Sequence, residues 1–121
     1  MRVELAREFR FEAAHRLPMV PPEHKCHRLH GHSFVVEVTV AGEVDPRLGW
    51  LLDYAEITAV VEPLLKRELD HRVLNDVPGL ENPTSEVLAG WLWERLAGRL
   101  PGLAAITVHE TCAARCTYRG Q

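Results

Sequence analysis

Histidine is the residue this chain distributes least evenly. Of seven histidines, four fall between His24 and His32. His30 and His32 are two positions apart, so on a β-strand both imidazoles leave the same face. His15 closes an earlier alternating segment on its apolar side. If the two segments pair, three imidazoles meet at one end of a sheet. Three neutral histidines with one position left open form the ligand set of a catalytic zinc site, although imidazole also suits copper, iron or nickel. The competing reading is three separately hydrogen-bonded, half-buried rings. That arrangement desolvates three imidazoles side by side and needs three partners, so the metal reading is preferred. His24 and His27 follow no periodicity and read as solvated or substrate-contacting. His109 reads as structural.

Acid–base chemistry has several candidates. Cys26 stands among Lys25, His27 and Arg28, four residues before His30, and neighbouring cations favour the thiolate, a usable base or nucleophile. Asp70 and His71 are adjacent, and a carboxylate can orient an imidazole as in relay pairs. They equally suit a helix end that favours a histidine. Glu110 shares a face with Ile106 and Val108, so its carboxylate must be paired or functional. It could accept two N–H donors from a guanidine-like ring edge or form an ion pair with an arginine. Cys112 and Cys116 lack a second ligand pair and read as unligated thiols rather than a metal or redox site.

The elements that must position these groups follow from periodicity. Val3 to His15 alternates, with Val3, Leu5, Phe9, Phe11, Ala13 and His15 on one side. Arg16 to Leu29 contains Pro18, Pro21 and Pro22 and reads as a long loop. His30 to Ala41 alternates again, with His30, His32, Phe34, Val36, Val38 and Val40 placed inward. A turn around Asp45-Pro46 leads to a short third strand, Trp50–Leu52. Asp53 and Glu56 form a capping box for a helix whose stripe is Ile57, Val60, Val61, Leu64, Leu65 and Leu69, with Pro63 inside it. Thr84 caps a second helix carrying Leu88, Trp91, Leu92 and Leu96. Leu103 to Glu110 is the last strand. The order is β-β-β-α-α-β with antiparallel pairing, and exposed sheet edges predict an oligomer.

Composition limits the alternatives. The chain has 121 residues, 46% hydrophobic and 26% charged, as expected of one globular domain over residues 1–121. No apolar run approaches the ~20 residues of a membrane helix. A formal net charge of −3 gives no electrostatic case for nucleic-acid binding. Met1-Arg2-Val3-Glu4 lacks the apolar run of a signal peptide, and three cysteines suit a reducing compartment, so a cytoplasmic location is expected.

Five segments in this order form a specific combination: Phe11-Glu-Ala-Ala-His15, Cys26-His-Arg-Leu-His30-Gly-His32, Leu69-Asp-His71, Asn82-Pro-Thr-Ser-Glu86 and Glu110-Thr-Cys112. Together they resemble the 6-pyruvoyltetrahydropterin synthase superfamily over nearly the whole chain, about Glu8 to Gly120. The resemblance implies an α+β tunnelling fold, a four-stranded antiparallel sheet with two helices, assembled into an oligomeric barrel. It implies a homo-oligomer, commonly a hexamer built as a dimer of trimers, with active sites between subunits. It implies Zn2+ on His15, His30 and His32, with Cys26 as proton acceptor and Asp70 and His71 as a relay. Glu110 would join that relay or anchor the pterin ring, and Thr84 and Ser85 would line the pterin pocket.

The three-residue spacer between Cys26 and His30 looks like the carboxy-forming branch of this superfamily, because pyruvoyl-forming members have a longer one. A hydroxymethylpterin-forming branch places a glutamate near this motif, where the chain offers only Glu23. The carboxy-forming branch implies a lyase acting in queuosine and other deazapurine biosynthesis. Its substrate would be 7,8-dihydroneopterin triphosphate, with 6-carboxy-5,6,7,8-tetrahydropterin, acetaldehyde and triphosphate as products. Lys25, Arg28, Arg16 and Arg10 are the candidate triphosphate-binding cations. His27, directly after Cys26, departs from the pattern and could compete for its proton or contact substrate. A non-enzymatic alternative is a binding module with a structural zinc, which would need a fourth protein ligand such as Cys26.

Overall fold

The computed structural model describes residues 1–121. In chain order the elements are β1 (Arg2–His15), β2 (His30–Glu43), α1 (Tyr54–Glu68), β3 (Arg72–Val73), α2 (Ser85–Leu96), β4 (Leu103–His109) and β5 (Arg115–Tyr118). Single 3-10 turns occupy Lys25–His27 and Leu74–Asp76. β1 and β2 pair antiparallel along their whole length, from Arg2 opposite Glu43 to His15 opposite His30. Their expected inward faces are inward: Phe9, Phe11, Ala13 and His15 of β1 and Phe34, Val36, Val38 and Val40 of β2 are all buried.

Both helices cover this face. α1 lies against β1, and α2 against β4 and β5. Ile57, Val61, Leu64 and Leu65 of α1 join Leu88, Leu92 and Leu96 of α2, with Ile106 and Val108 of β4, in one continuous apolar core. Asp53 makes both halves of the capping box with Glu56, as its spacing predicts. The helix runs on through Pro63, which sits on the exposed side. Thr84 caps α2 by accepting the Val87 N–H, 3.1 Å away. The turn into β4 depends on Gly102, at φ +85°; a Cβ there would lie 2.6 Å from the Ala41 carbonyl oxygen.

The sheet departs from the expected four antiparallel strands. It has five, in the order β3-β1-β2-β4-β5, and is mixed because β3 runs parallel to β1. Trp50–Leu52 is not a strand. It makes one bridge, Asp45 to Trp50, while Leu51 and Leu52 pack against the core, so their apolar character serves tertiary burial rather than a ladder. The strand expected to end at Glu110 ends at His109. Beyond it the chain turns back as β5, whose Cys116 and Tyr118 also pack on the core. The α+β class stands. β3 pairs with β1 only at Ala13 and Ala14, so the outer edge of β1 from Arg2 to Phe11 has no strand partner. No helix is long and apolar enough to cross a membrane.

Candidate metal centre and its neighbours

The β1–β2 register puts His15 directly opposite His30, and the pleat brings His32 to the same face. The three ring centroids lie 4.7, 4.8 and 5.1 Å apart. One nitrogen from each ring falls within 4.8 Å of the others, and no other residue belongs to this cluster. Phe34, two residues along β2, forms its floor, 5.5 Å from His15 and 5.4 Å from His32.

Two main-chain carbonyls set the direction of the rings. His15 Nδ1 lies 2.9 Å from the Pro83 oxygen and His30 Nδ1 lies 2.7 Å from the Arg28 oxygen. A carbonyl only accepts, so each Nδ1 carries a proton, and in the neutral tautomer this selects, Nε2 has the lone pair. His15 Nε2 and His32 Nε2 are shielded from solvent and have no hydrogen-bond partner. Burial pushes both His15 and His32 below the usual histidine range, outweighing the Pro83 carbonyl at His15 and the nearby Glu110 carboxylate at both. Three imidazoles converging on one point, two of them buried with an unpartnered Nε2, are what a divalent transition metal requires. The residues present fit the group.

Glu110, just past β4, supplies the adjoining carboxylate. Its Oε1 is 3.4 Å from His15 Nε2 and 4.0 Å from His32 Nε2. Within the chain it lies beside these two histidines and no arginine. Cys26 is half-buried in the Lys25–His27 turn, outside the ligand cluster. Its carbonyl accepts the Leu17 N–H, 2.8 Å away, fastening the turn two residues beyond His15. Its N–H donates to His24 Nδ1 at 3.0 Å. His24 is therefore the cap of that turn, a role its sequence position did not indicate; His27 is half-buried in the same turn.

Asp70 and His71 form a second, separate unit. Asp70 Oδ2 is 3.0 Å from His71 Nδ1. Asp70 Oδ1 accepts the Glu12 N–H at 2.9 Å, and the Glu12 carbonyl accepts the His71 N–H at 2.6 Å. This clamp on β1 holds His71 at φ 59°, the left-handed region. The Glu12 N–H, then His71, holds the Asp70 carboxyl below its usual range. No hydrogen bond or ion pair joins this unit to the triad, and the His71 ring is 78% exposed.

Thr84 and Ser85 sit at the start of α2, next to the Pro83 carbonyl that orients His15. The Thr84 hydroxyl oxygen is engaged as the helix cap. All three cysteines are free. Burial, then Glu86, pushes the Cys116 thiol up, as suits an inert packing residue. His109 lies on the opposite sheet face, 3.9 Å from Glu37. Arg10, Arg16, Lys25 and Arg28 are all exposed and in no ion pair. The groups that sequence reasoning missed are the Pro83 and Arg28 carbonyls. Main-chain acceptors carry no residue-type signal.

The chain is similar to known proteins over most of its length. The family model described as 6-pyruvoyl tetrahydropterin synthase covers residues 4–121. A Synechocystis protein named 6-carboxy-5,6,7,8-tetrahydropterin synthase is 46% identical over 118 residues, 93% of this chain and 89% of its own. A dihydroneopterin monophosphate aldolase of Pyrococcus furiosus is 41% identical over 92 residues, 76% of this chain and 73% of its own. The solved Caenorhabditis elegans 6-pyruvoyl tetrahydropterin synthase superimposes with a TM-score of 0.90 at 31% identity, covering 100% of this chain and 97% of its own.

Proposed function

The chain belongs to the 6-pyruvoyl tetrahydropterin synthase family of enzymes, and on that premise we propose that it is a zinc-dependent lyase of the carboxy-forming branch. It converts 7,8-dihydroneopterin triphosphate and one water to 6-carboxy-5,6,7,8-tetrahydropterin, acetaldehyde and triphosphate, in queuosine and other deazapurine biosynthesis. The observation that carries this is the convergence of three imidazoles, with the inward nitrogens of His15 and His32 buried and without a hydrogen-bond partner. The 46% identity to a relative named for that product supports the branch, as does the three-residue spacer between Cys26 and His30.

His15, His30 and His32 hold the metal, which supplies Lewis acidity toward the substrate's side-chain hydroxyls. The chain's own groups do the rest. Cys26 takes a proton from the side chain next to the pterin ring. His71, kept in one orientation by Asp70, moves a proton on the opposite side. Glu110 receives ring N–H donors and fixes the ring against these groups, with Thr84 and Ser85 along the pocket wall. Lys25, Arg28, Arg16 and Arg10 meet the triphosphate. The exposed His71 and the open edge of β1 support a homo-oligomer whose active sites lie between subunits, a hexamer of two trimers closing the sheets into a barrel. The single domain works in the cytoplasm.

The decisive experiment incubates the zinc-loaded protein with 7,8-dihydroneopterin triphosphate and identifies products by mass spectrometry. Carboxytetrahydropterin and acetaldehyde are expected. A pyruvoyl or hydroxymethyl product reassigns the branch. Bound zinc with no turnover at all favours a binding module, a reading already weakened by the absence of Cys26 from the ligand cluster.

A further inference from the structure

Arg16, the residue just past β1, is joined to the segment preceding α2 by the side chain of Asn75. Asn75, in the Leu74–Asp76 turn, accepts the Arg16 N–H on Oδ1 at 3.0 Å. Its Nδ2 donates to the Arg16 carbonyl at 2.8 Å and to the Glu81 carbonyl at 3.3 Å. These partners fix the amide orientation, because an N–H must meet the oxygen and two carbonyls must meet the nitrogen. Arg16 directly follows His15, and Glu81 precedes Pro83 by two residues. Asn75 thus grips both sides of the His15 Nδ1 to Pro83 hydrogen bond without touching either partner.

We propose that Asn75 is a positioning residue of the metal centre. By tying Arg16 to Glu81 it keeps the Pro83 carbonyl on His15 Nδ1, and so keeps His15 Nε2 as the lone pair facing His30 and His32. Partners that orient a ligating histidine are commonly worth 10–100-fold in metal affinity. The loop has other anchors, since Leu80 is fully buried and Thr84 caps α2. Those anchors hold the loop to the core and to α2, whereas Asn75 is the side chain that bonds it to Arg16, just past β1.

The inference rests on the metal reading above, so the test has an arm that needs no metal. Asn75→Ala removes all three bonds. Asn75→Asp keeps the acceptor for the Arg16 N–H at the same size but sets an oxygen against two carbonyls, and serves where the alanine variant fails to fold. In metal-free protein, two-dimensional NMR of the imidazole nitrogens should find His15 as the Nδ1–H tautomer in the wild type and as a mixture in the variants. In competitive zinc titration the variants should bind roughly 10–100-fold more weakly, and the visible bands of the cobalt(II)-loaded protein should shift. Asp53→Ala, a remote helix-cap variant, should change neither readout. An unchanged tautomer with unchanged zinc affinity in folded variants overturns the role of Asn75. A wild type that binds no zinc while its variants still lose the tautomer overturns the metal reading and leaves the positioning role standing.

Discussion

His32→Phe should stabilise the protein without metal and destabilise it with metal. His32 Nε2 is shielded and has no partner, Phe34 lies 5.4 Å away, and its Nδ1 makes no hydrogen bond. A buried polar group left unpaired costs about 1–3 kcal/mol, and a phenyl ring of similar shape carries no such group. The His32 ring is about one-fifth exposed, so the lower end applies. In chelator-treated protein the variant should therefore equal or exceed the wild type by roughly 1 kcal/mol. Zinc at 100 times its Kd adds about 2.7 kcal/mol to the wild type, on the order of 10 °C in Tm for a domain of this size. The variant, with one ligand gone, should respond little. Thermal unfolding followed by circular dichroism, with and without zinc, reads both effects, and the order of the two proteins should reverse between conditions. Equal zinc shifts in both proteins would refute the ligand assignment. A metal-free variant several kcal/mol less stable than the wild type would refute the claim that His32 is unsatisfied.

Three further outcomes follow from other parts of the molecule. Cys26→Ala should retain stoichiometric zinc, because the thiol lies outside the ligand cluster, while turnover falls about 10²–10⁴-fold; zinc analysis with a product assay checks both. Asp70 has a depressed pKa in the fold, so its contribution to stability is present at neutral pH. It is lost as pH falls through the unfolded aspartate value of about 3.9 toward the lower folded one. Urea unfolding of wild type and Asp70→Asn across that range should show the gap between them closing toward acid pH; a gap that widens would contradict the sign. Gly102→Ala forces a Cβ to 2.6 Å from the Ala41 oxygen at φ +85° and should cost on the order of 1–3 kcal/mol, measured by the same unfolding assay.

Strong periodicity made the central part of this molecule readable. Alternation in β1 and β2 gave their inward faces, and an i, i+2 histidine pair beside a terminal strand histidine placed the triad. The helices were legible because Asp53 and Thr84 are capping residues followed by apolar stripes. Short elements were not. Two residues of β3 carry no period, and Arg115–Tyr118 has only Cys116 and Tyr118 to mark its inward side. Trp50–Leu52 misled because burial by tertiary contact and burial in a sheet call for the same apolar residues. Within the site, side-chain chemistry was visible and its supports were not. His24 caps a turn with a ring nitrogen, an uncommon use of histidine, and Glu12 holds Asp70 and His71 through its backbone.

The Pro83 carbonyl has a bearing on how such a site could be lost. Every backbone has an oxygen there, so replacing the side chain at position 83 leaves the acceptor in place. An insertion or deletion between Glu81 and Thr84 would carry the oxygen out of reach while leaving all three histidines intact. A homologue could thus keep each ligand letter and still bind metal poorly, a defect that appears in loop length rather than in residue identity.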